Sequence, residues 1–225
     1  MENRELVRNV IHEIRDAYER PPFTPTPDID LVWVVSLPGT VFTPSDDGMY
    51  RGRVADREIV DAGVHIVLQI TALCLHKNPE EISKEDVERA GPTFFYNGED
   101  KTNGRYAQIE DFEVLVATTE FPIPQAKVSI RHLTDESNTP GQVKNIAQFL
   151  RQNPQFKNIA VVARVHHQRR VARYLKHYIQ LFPPDVNLLD ASVPETQDIV
   201  GTTLREARRI VKYAKKGDLA EEPYF

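Results

Sequence analysis

Two short stretches of this chain carry side chains able to hold an anion and to move a proton. The first is His166-His167-Gln168-Arg169-Arg170, which follows the apolar run Val161-Val162-Ala163 after Arg164-Val165. Imidazole changes charge near neutral pH, so His166 at that point can serve as acid, base or neutral donor. Arginine grips phosphate or carboxylate with a planar two-pronged fork, which makes Arg169 a candidate anion contact. The second stretch is Asp135-Glu136-Ser137-Asn138-Thr139-Pro140-Gly141-Gln142. Thr139 as N-cap, Pro140 at the first helical position and Gln142 two residues on have the pattern of a capping box. A helix start offers free N–H groups and partial positive charge, a seat for an anion. Gly141 is a poor helix former and would admit a ligand close to the backbone. Capping alone and capping plus ligand binding are equally good readings.

The elements that position these residues follow from periodicity. Leu31-Val32-Trp33-Val34-Val35 is apolar on both faces, the mark of a central strand in a parallel sheet. It runs into Ser36-Leu37-Pro38-Gly39-Thr40, where Gly39 allows close backbone approach. Further strands are predicted at Thr93–Tyr96, Lys127–Arg131, Ile159–Ala163 and Val186–Leu189, the first of them ending in Asn97-Gly98-Glu99. Helices are predicted at 55–76, 105–119, 140–152, 168–181 and 204–215, with a short one capped by Ser83 and ending at Gly91. The repeated strand–helix alternation calls for a mainly parallel α/β sheet of about five strands covered on both faces, a Rossmann-like three-layer αβα sandwich. An i, i+4 stripe (Leu6, Val10, Ile14, Tyr18) predicts an N-terminal amphipathic helix. The proline-rich link 21–27 stops that helix and makes it an appendage packed on a single main domain, 28–225.

In open parallel sheets ligands bind beyond the carboxyl ends of the strands, where strand order reverses. Four loops meet that condition, at 36–40, 97–99, 136–139 and 166–170. Within the helix predicted at 168–181, Val171, Leu175, Tyr178 and Ile179 form the buried face. Arg173 and Lys176 fall opposite and are expected to be solvated.

Composition narrows the classes. The net charge of -5 argues against bulk nucleic-acid binding, although 164–176 and 205–216 are locally basic. A single cysteine, Cys74, excludes an internal disulfide and suits a reducing compartment. The most apolar stretch, Val64 to Leu75, is interrupted by His65, Gln69 and Thr71 and is too short to span a bilayer. No secretory signal pattern opens the chain, so a cytoplasmic protein without a membrane anchor is expected. No metal-ligand spacing, GxSxG or GxGxxG is present, so metal, serine-triad and ordinary dinucleotide chemistry find no support.

The order of motifs resembles the YdcF/SanA/ElyC-like superfamily of Rossmann-like proteins. The resemblance rests on Val34-Val35-Ser36-Leu37-Pro38-Gly39, Arg53, Asn97-Gly98-Glu99, Asp135-Glu136-Ser137-Asn138-Thr139 and His166-His167-Gln168-Arg169, across roughly residues 30–190. His167 with Arg170 offers a second register for its last motif. The first loop has one glycine where that family commonly has several, and Asn97 stands where it usually has serine. The resemblance implies a crevice for a nucleotide-like or phosphorylated small molecule, with a nucleotide or S-adenosylmethionine as conceivable cofactor. His166, Arg169 and Glu136 are its candidate catalytic residues. Ser36, Gly39, Arg53, Asn97, Gly98, Glu99, Ser137, Asn138, Thr139 and Gln142 are the candidate ligand contacts, with Glu99 or Glu136 orienting a hydroxyl or ribose. An enzyme of transferase or hydrolase type is the leading expectation. The alternatives are a non-catalytic metabolite-sensing module and an interaction protein that uses a basic helix face for an acidic partner or RNA.

Overall fold

The central strands of this chain are buried on both faces, which can be satisfied only between two layers of helix, and the chain supplies both. The computed structural model describes residues 2–36, 43–44, 50–51, 53–99, 108–133, 138–194 and 199–225, with side chains for 4–36, 57–99, 108–133, 138–194 and 199–225. In chain order the elements are α1 (Glu2–Tyr18), β1 (Leu31–Val35), β2 (Thr43–Pro44), β3 (Tyr50–Arg51), α2 (Arg53–Leu75), α3 (Lys84–Ala90) and β4 (Thr93–Gly98). There follow α4 (Gln108–Val116), β5 (Val128–His132), α5 (Thr139–Gln152), β6 (Asn158–Val162), α6 (Val165–His177), β7 (Asn187–Asp190) and α7 (Ile199–Lys215). The main sheet is all parallel with order β5-β4-β1-β6-β7, while β2 and β3 form a separate antiparallel pair. By chain position that order is third, second, first, fourth, fifth, the doubly wound arrangement. The chain has the Rossmann-like three-layer αβα fold.

Side chains alternate across the sheet as its pleat requires. Val32, Val34, Phe94, Tyr96, Ala160 and Val162 face α2 and α4, whose Ile59, Val67, Ile70, Ile109 and Phe112 cover them. Leu31, Trp33, Val35, Phe95, Val161 and Ala163 face α5 and α6 through Val143, Ile146, Leu150, Val171 and Leu175. The N-terminal helix packs on the body through a third cluster, Val10 and Ile14 of α1 with Ala207, Ile210 and Val211 of α7.

Several boundaries differ from expectation for identifiable reasons. Helix α6 begins at Val165, three residues early, because the Gln168 amide already bonds the Arg164 carbonyl at 2.7 Å. The two histidines therefore lie in the first helical turn and not at the strand tip. Helix α7 begins at Ile199 and not at 204. Helix α4 ends at Val116, three residues before the predicted end at 119. Thr139 is not the cap of α5: Asn138 is, its Oδ1 accepting from the Gly141 amide at 3.0 Å. For α3 the prediction holds, with Ser83 and Asp86 capping reciprocally. Helix α2 contains a 19-residue window, Arg57–Leu75, long and apolar enough to cross a membrane. In this fold it is the core helix laid across the sheet, with Val67 and Ile70 fully covered.

Gly63 sets how closely α2 approaches the sheet. A Cβ there would stand 2.4 Å from Val34 Cγ2 and 3.0 Å from Phe94 Cε2. Contacts that short force the layer apart. Gly63→Val is expected to lower unfolding free energy by about 2–3 kcal/mol, with steric cost outweighing the gain in helix propensity. Urea denaturation measures it; a stability equal to wild type would show that the α2–β1 contact yields without cost.

Candidate functional site

The strand order reverses between β1 and β6, and the polar residues gather at the carboxyl ends of those strands. Two arrangements of hydrogen bonds lie there. One is a clasp. Trp33 Nε1 donates to Asn97 Oδ1 at 3.1 Å, while Asn97 Nδ2 donates to the Gln142 carbonyl at 3.0 Å and to Asn145 Oδ1 at 3.3 Å. Gln142 Nε2 then reaches the Ser36 carbonyl at 2.9 Å. Ser36 Oγ contacts Gln108 Oε1 at 3.4 Å, and the same oxygen accepts the Glu99 amide at 3.0 Å. The clasp thus ties the ends of β1 and β4 to the first turns of α4 and α5.

The second arrangement crosses from α5 to α6. Thr139 Oγ1 lies 3.2 Å from His167 Nε2, with both side chains buried. Either atom can be the donor, since the imidazole tautomer sets the direction. His167 Nδ1 and Gln142 Oε1 are buried with no hydrogen-bond partner among the described residues. A buried polar atom without a partner is costly, so each is a natural contact for a bound group.

Burial, reinforced by the Arg164, Arg170, Arg209 and Arg205 charges, pushes the His166 imidazole down to about 4. His167 is held well below the usual histidine range by complete burial, then by Arg170, His166 and Arg209. Both rings are therefore neutral at pH 7. They are hydrogen-bonding groups and weak bases.

The sequence-derived candidates separate into three groups. Ser36, Asn97, Gly98, Glu99, Asn138, Thr139, Gln142 and His166 come together around the strand ends. Among them Asn97 is buried and engaged in the clasp, which gives it a structural duty. Gly98 has a packing reason, because a Cβ there would lie 3.0 Å from Gln108 Oε1 and 3.1 Å from Gln108 Cβ. Gly39, Glu136 and Ser137 lie outside the described residues, as does the side chain of Arg53.

Arg169 belongs elsewhere. It is fully buried, ion-paired with Asp190 at the end of β7, and donates from Nη1 to the Phe225 carbonyl at 3.1 Å. The helix turns its guanidinium away from Thr139, and the expectation that it grips an anion gives way to this inward pairing. Arg173 corrects the expectation of a solvated face. It is 3% exposed and forms a two-pronged pair with Glu13 of α1 at 3.0 and 2.6 Å. Lys176 is exposed, as expected.

His167, Gln108 and Glu206 were not among the favoured candidates. His167 was legible: it sits four and eight residues before Val171 and Leu175, on the same buried stripe. Arg170, one turn beyond His166, ion-pairs with buried Glu206 of α7, a partner that no local pattern indicates. The described residues also form an open pocket of about 220 Å³ lined by Glu113, Val116, Gln125, Val128 and Ile130. It lies between α4 and β5 and contains none of these groups.

Comparison of the chain with protein-family models, with curated proteins and with solved structures gives no match.

The neutral histidines imply a pH dependence. In the unfolded chain they titrate near 6.5, and His166 in the fold near 4, so between those values the unfolded state binds more protons. Stability therefore falls as pH drops from 6.5 toward 4. His166 contributes about 3 kcal/mol to that loss, and His167 adds to it. Urea denaturation between pH 7.5 and 4.5 measures the slope, and His166→Gln should flatten it. A His166→Gln protein with the wild-type slope would mean that His166 is not held neutral.

Proposed function

We propose that this protein binds a nucleotide-like or phosphorylated small molecule in the crevice between the ends of β1 and β6, and acts on it as a transferase or hydrolase. The observation that carries this reading is the Thr139–His167 hydrogen bond across the topological switch point, beside the start of α5. Around it stand two buried polar atoms with no partner among the described residues and the charges of four arginines. A helix start facing a cationic rim favours a phosphoryl group over a neutral ligand. The resemblance to the YdcF/SanA/ElyC-like superfamily points to the same crevice. Arg169 and Arg170 are both ion-paired within the fold, so of the residues of its last motif it is His167 that meets Thr139. Thr139 and His167 would bind the anion, and Glu99 is the described carboxylate nearest in chain to a ribose-orienting role.

A second reading, a metabolite sensor without turnover, is favoured by one observation: both imidazoles are too weakly basic in this fold to remove a proton readily. An anion beside them would raise their basicity, and only the enzyme reading requires that. The reading as an interaction protein loses half its surface, because Arg169, Arg170 and Arg173 are paired within the fold.

Thermal unfolding with nucleotides, nucleotide sugars and S-adenosylmethionine tests the site. A ligand at about 100 times its Kd should raise Tm by about 5–10 °C. The increase should largely vanish in Thr139→Val and His167→Asn. No stabilisation by any of these compounds would sink the reading. Product formation from a stabilising ligand separates enzyme from sensor.

A further inference from the structure

We propose that the outer face of α7 docks the protein reversibly on an anionic lipid surface. Val200 and Leu204 would enter the headgroup layer, and Arg208 and Lys212 would lie against the lipid phosphates. The inference stands apart from the crevice and its ligand.

One face of α7 is committed to the fold. Ala207, Ile210 and Val211 meet Val10 and Ile14 of α1. Glu206 is buried and ion-paired with Arg170 of α6, and its other oxygen lies 3.6 Å from Arg209 Nη1. These contacts fix the rotation of the helix about its axis, so the opposite face is presented outward. Val200, Leu204, Arg208 and Lys212 follow one another at intervals of four residues and form one row along that face. All four are exposed, Val200 at 82%.

The row is aliphatic at its start and basic beyond. A helix that is only solvated also carries bases, and near its C-terminus they stabilise it against its own dipole. That accounts for Lys212. It leaves unexplained Ile199, Val200 and Leu204, which are three of the seven large apolar side chains exposed among the described residues and lie within two turns. Exposed aliphatic groups beside lysine and arginine are the composition of a helix that lies in a lipid interface. Nucleic acid would match the bases, but its binding draws on aromatic stacking, and the one aromatic residue of α7, Tyr213, packs against the core. A protein partner would need a groove shaped to this convex face, whereas a fluid headgroup layer admits it as it stands. The flanks carry both signs: α1 exposes Arg4, Glu5, Arg8 and Asp16, and exposed Asp218, Glu221 and Glu222 follow α7. Docking is therefore confined to one helix and needs both its apolar and its basic part.

Co-sedimentation of the full chain with lipid vesicles tests the docking. Phosphatidylcholine vesicles containing about 30% phosphatidylserine should bind the protein about tenfold or more tightly than phosphatidylcholine alone. Arg208→Gln/Lys212→Gln should weaken that binding about tenfold, and Val200→Ser/Leu204→Ser by a similar factor. Arg4→Gln/Arg8→Gln on α1, with the same change in net charge, should stay within about twofold. Thermal unfolding of each variant should match wild type; if the double serine variant is destabilised, Val200→Ser alone decides. Absence of binding to the acidic vesicles, or equal weakening in the α1 and α7 glutamine variants, would overturn the proposal. Wild-type binding by the serine variant would also overturn it, since the bases would then suffice and the partner would be an acidic macromolecule.

Discussion

Arg169, Arg170 and Arg173 fall within five residues on α6, and each is largely removed from water. A guanidinium group taken out of water without a counter-charge is very costly, so each must meet a carboxylate. Asp190 at the end of β7, Glu206 on α7 and Glu13 on α1 supply them. Those pairs decide where the outer elements sit. They anchor α1, which otherwise touches the body through a small apolar cluster, and they orient α7 over the edge of the sandwich. The main-chain oxygens of Glu221 and Phe225 accept from Arg173 and Arg169, drawing the last residues onto the same helix. A polar helix is thereby buried on nearly every side.

This arrangement has a chemical consequence at the start of α6. The helices that cover the arginines also seal His166 and His167 from water, and the surrounding charges oppose their protonation. On the proposed reading, a site lined by neutral imidazoles beside arginine charges would suit an anion that arrives already charged. It is less suited to removing a proton from a neutral substrate. The clasp from Trp33 through Asn97 to Gln142 holds α5 against the ends of β1 and β4, so Thr139 meets His167 across a gap of fixed width.

Much of the sandwich was legible from side-chain periodicity. The doubly apolar run at 31–35 can only be a central strand, and each following strand–helix alternation implies another parallel neighbour. Helix starts were less legible, because they depend on single hydrogen bonds. Asn138 and Thr139 are both good caps by type, and only the backbone at Asn138, extended with φ -153° and ψ 175°, decides between them. Of the candidate site, the described residues Ser36, Asn97 and Gln142 meet because topology alone brings those strand ends together. Arg169 was misplaced because its partner, Asp190, lies 21 residues on at the end of β7, where no local pattern indicates it.

The sequence by itself determined the layers and the parallel sheet, since these follow from local patterns of apolar residues and the chirality of strand crossovers. Only the tertiary structure decided which basic residues are buried and which face the crevice. That choice depends on carboxylates far away in the chain: Glu13 lies 160 positions before Arg173, and Glu206 lies 36 after Arg170. Hydrophobic period is a property of neighbours along the chain, whereas the partner of a buried charge is a property of neighbours in space.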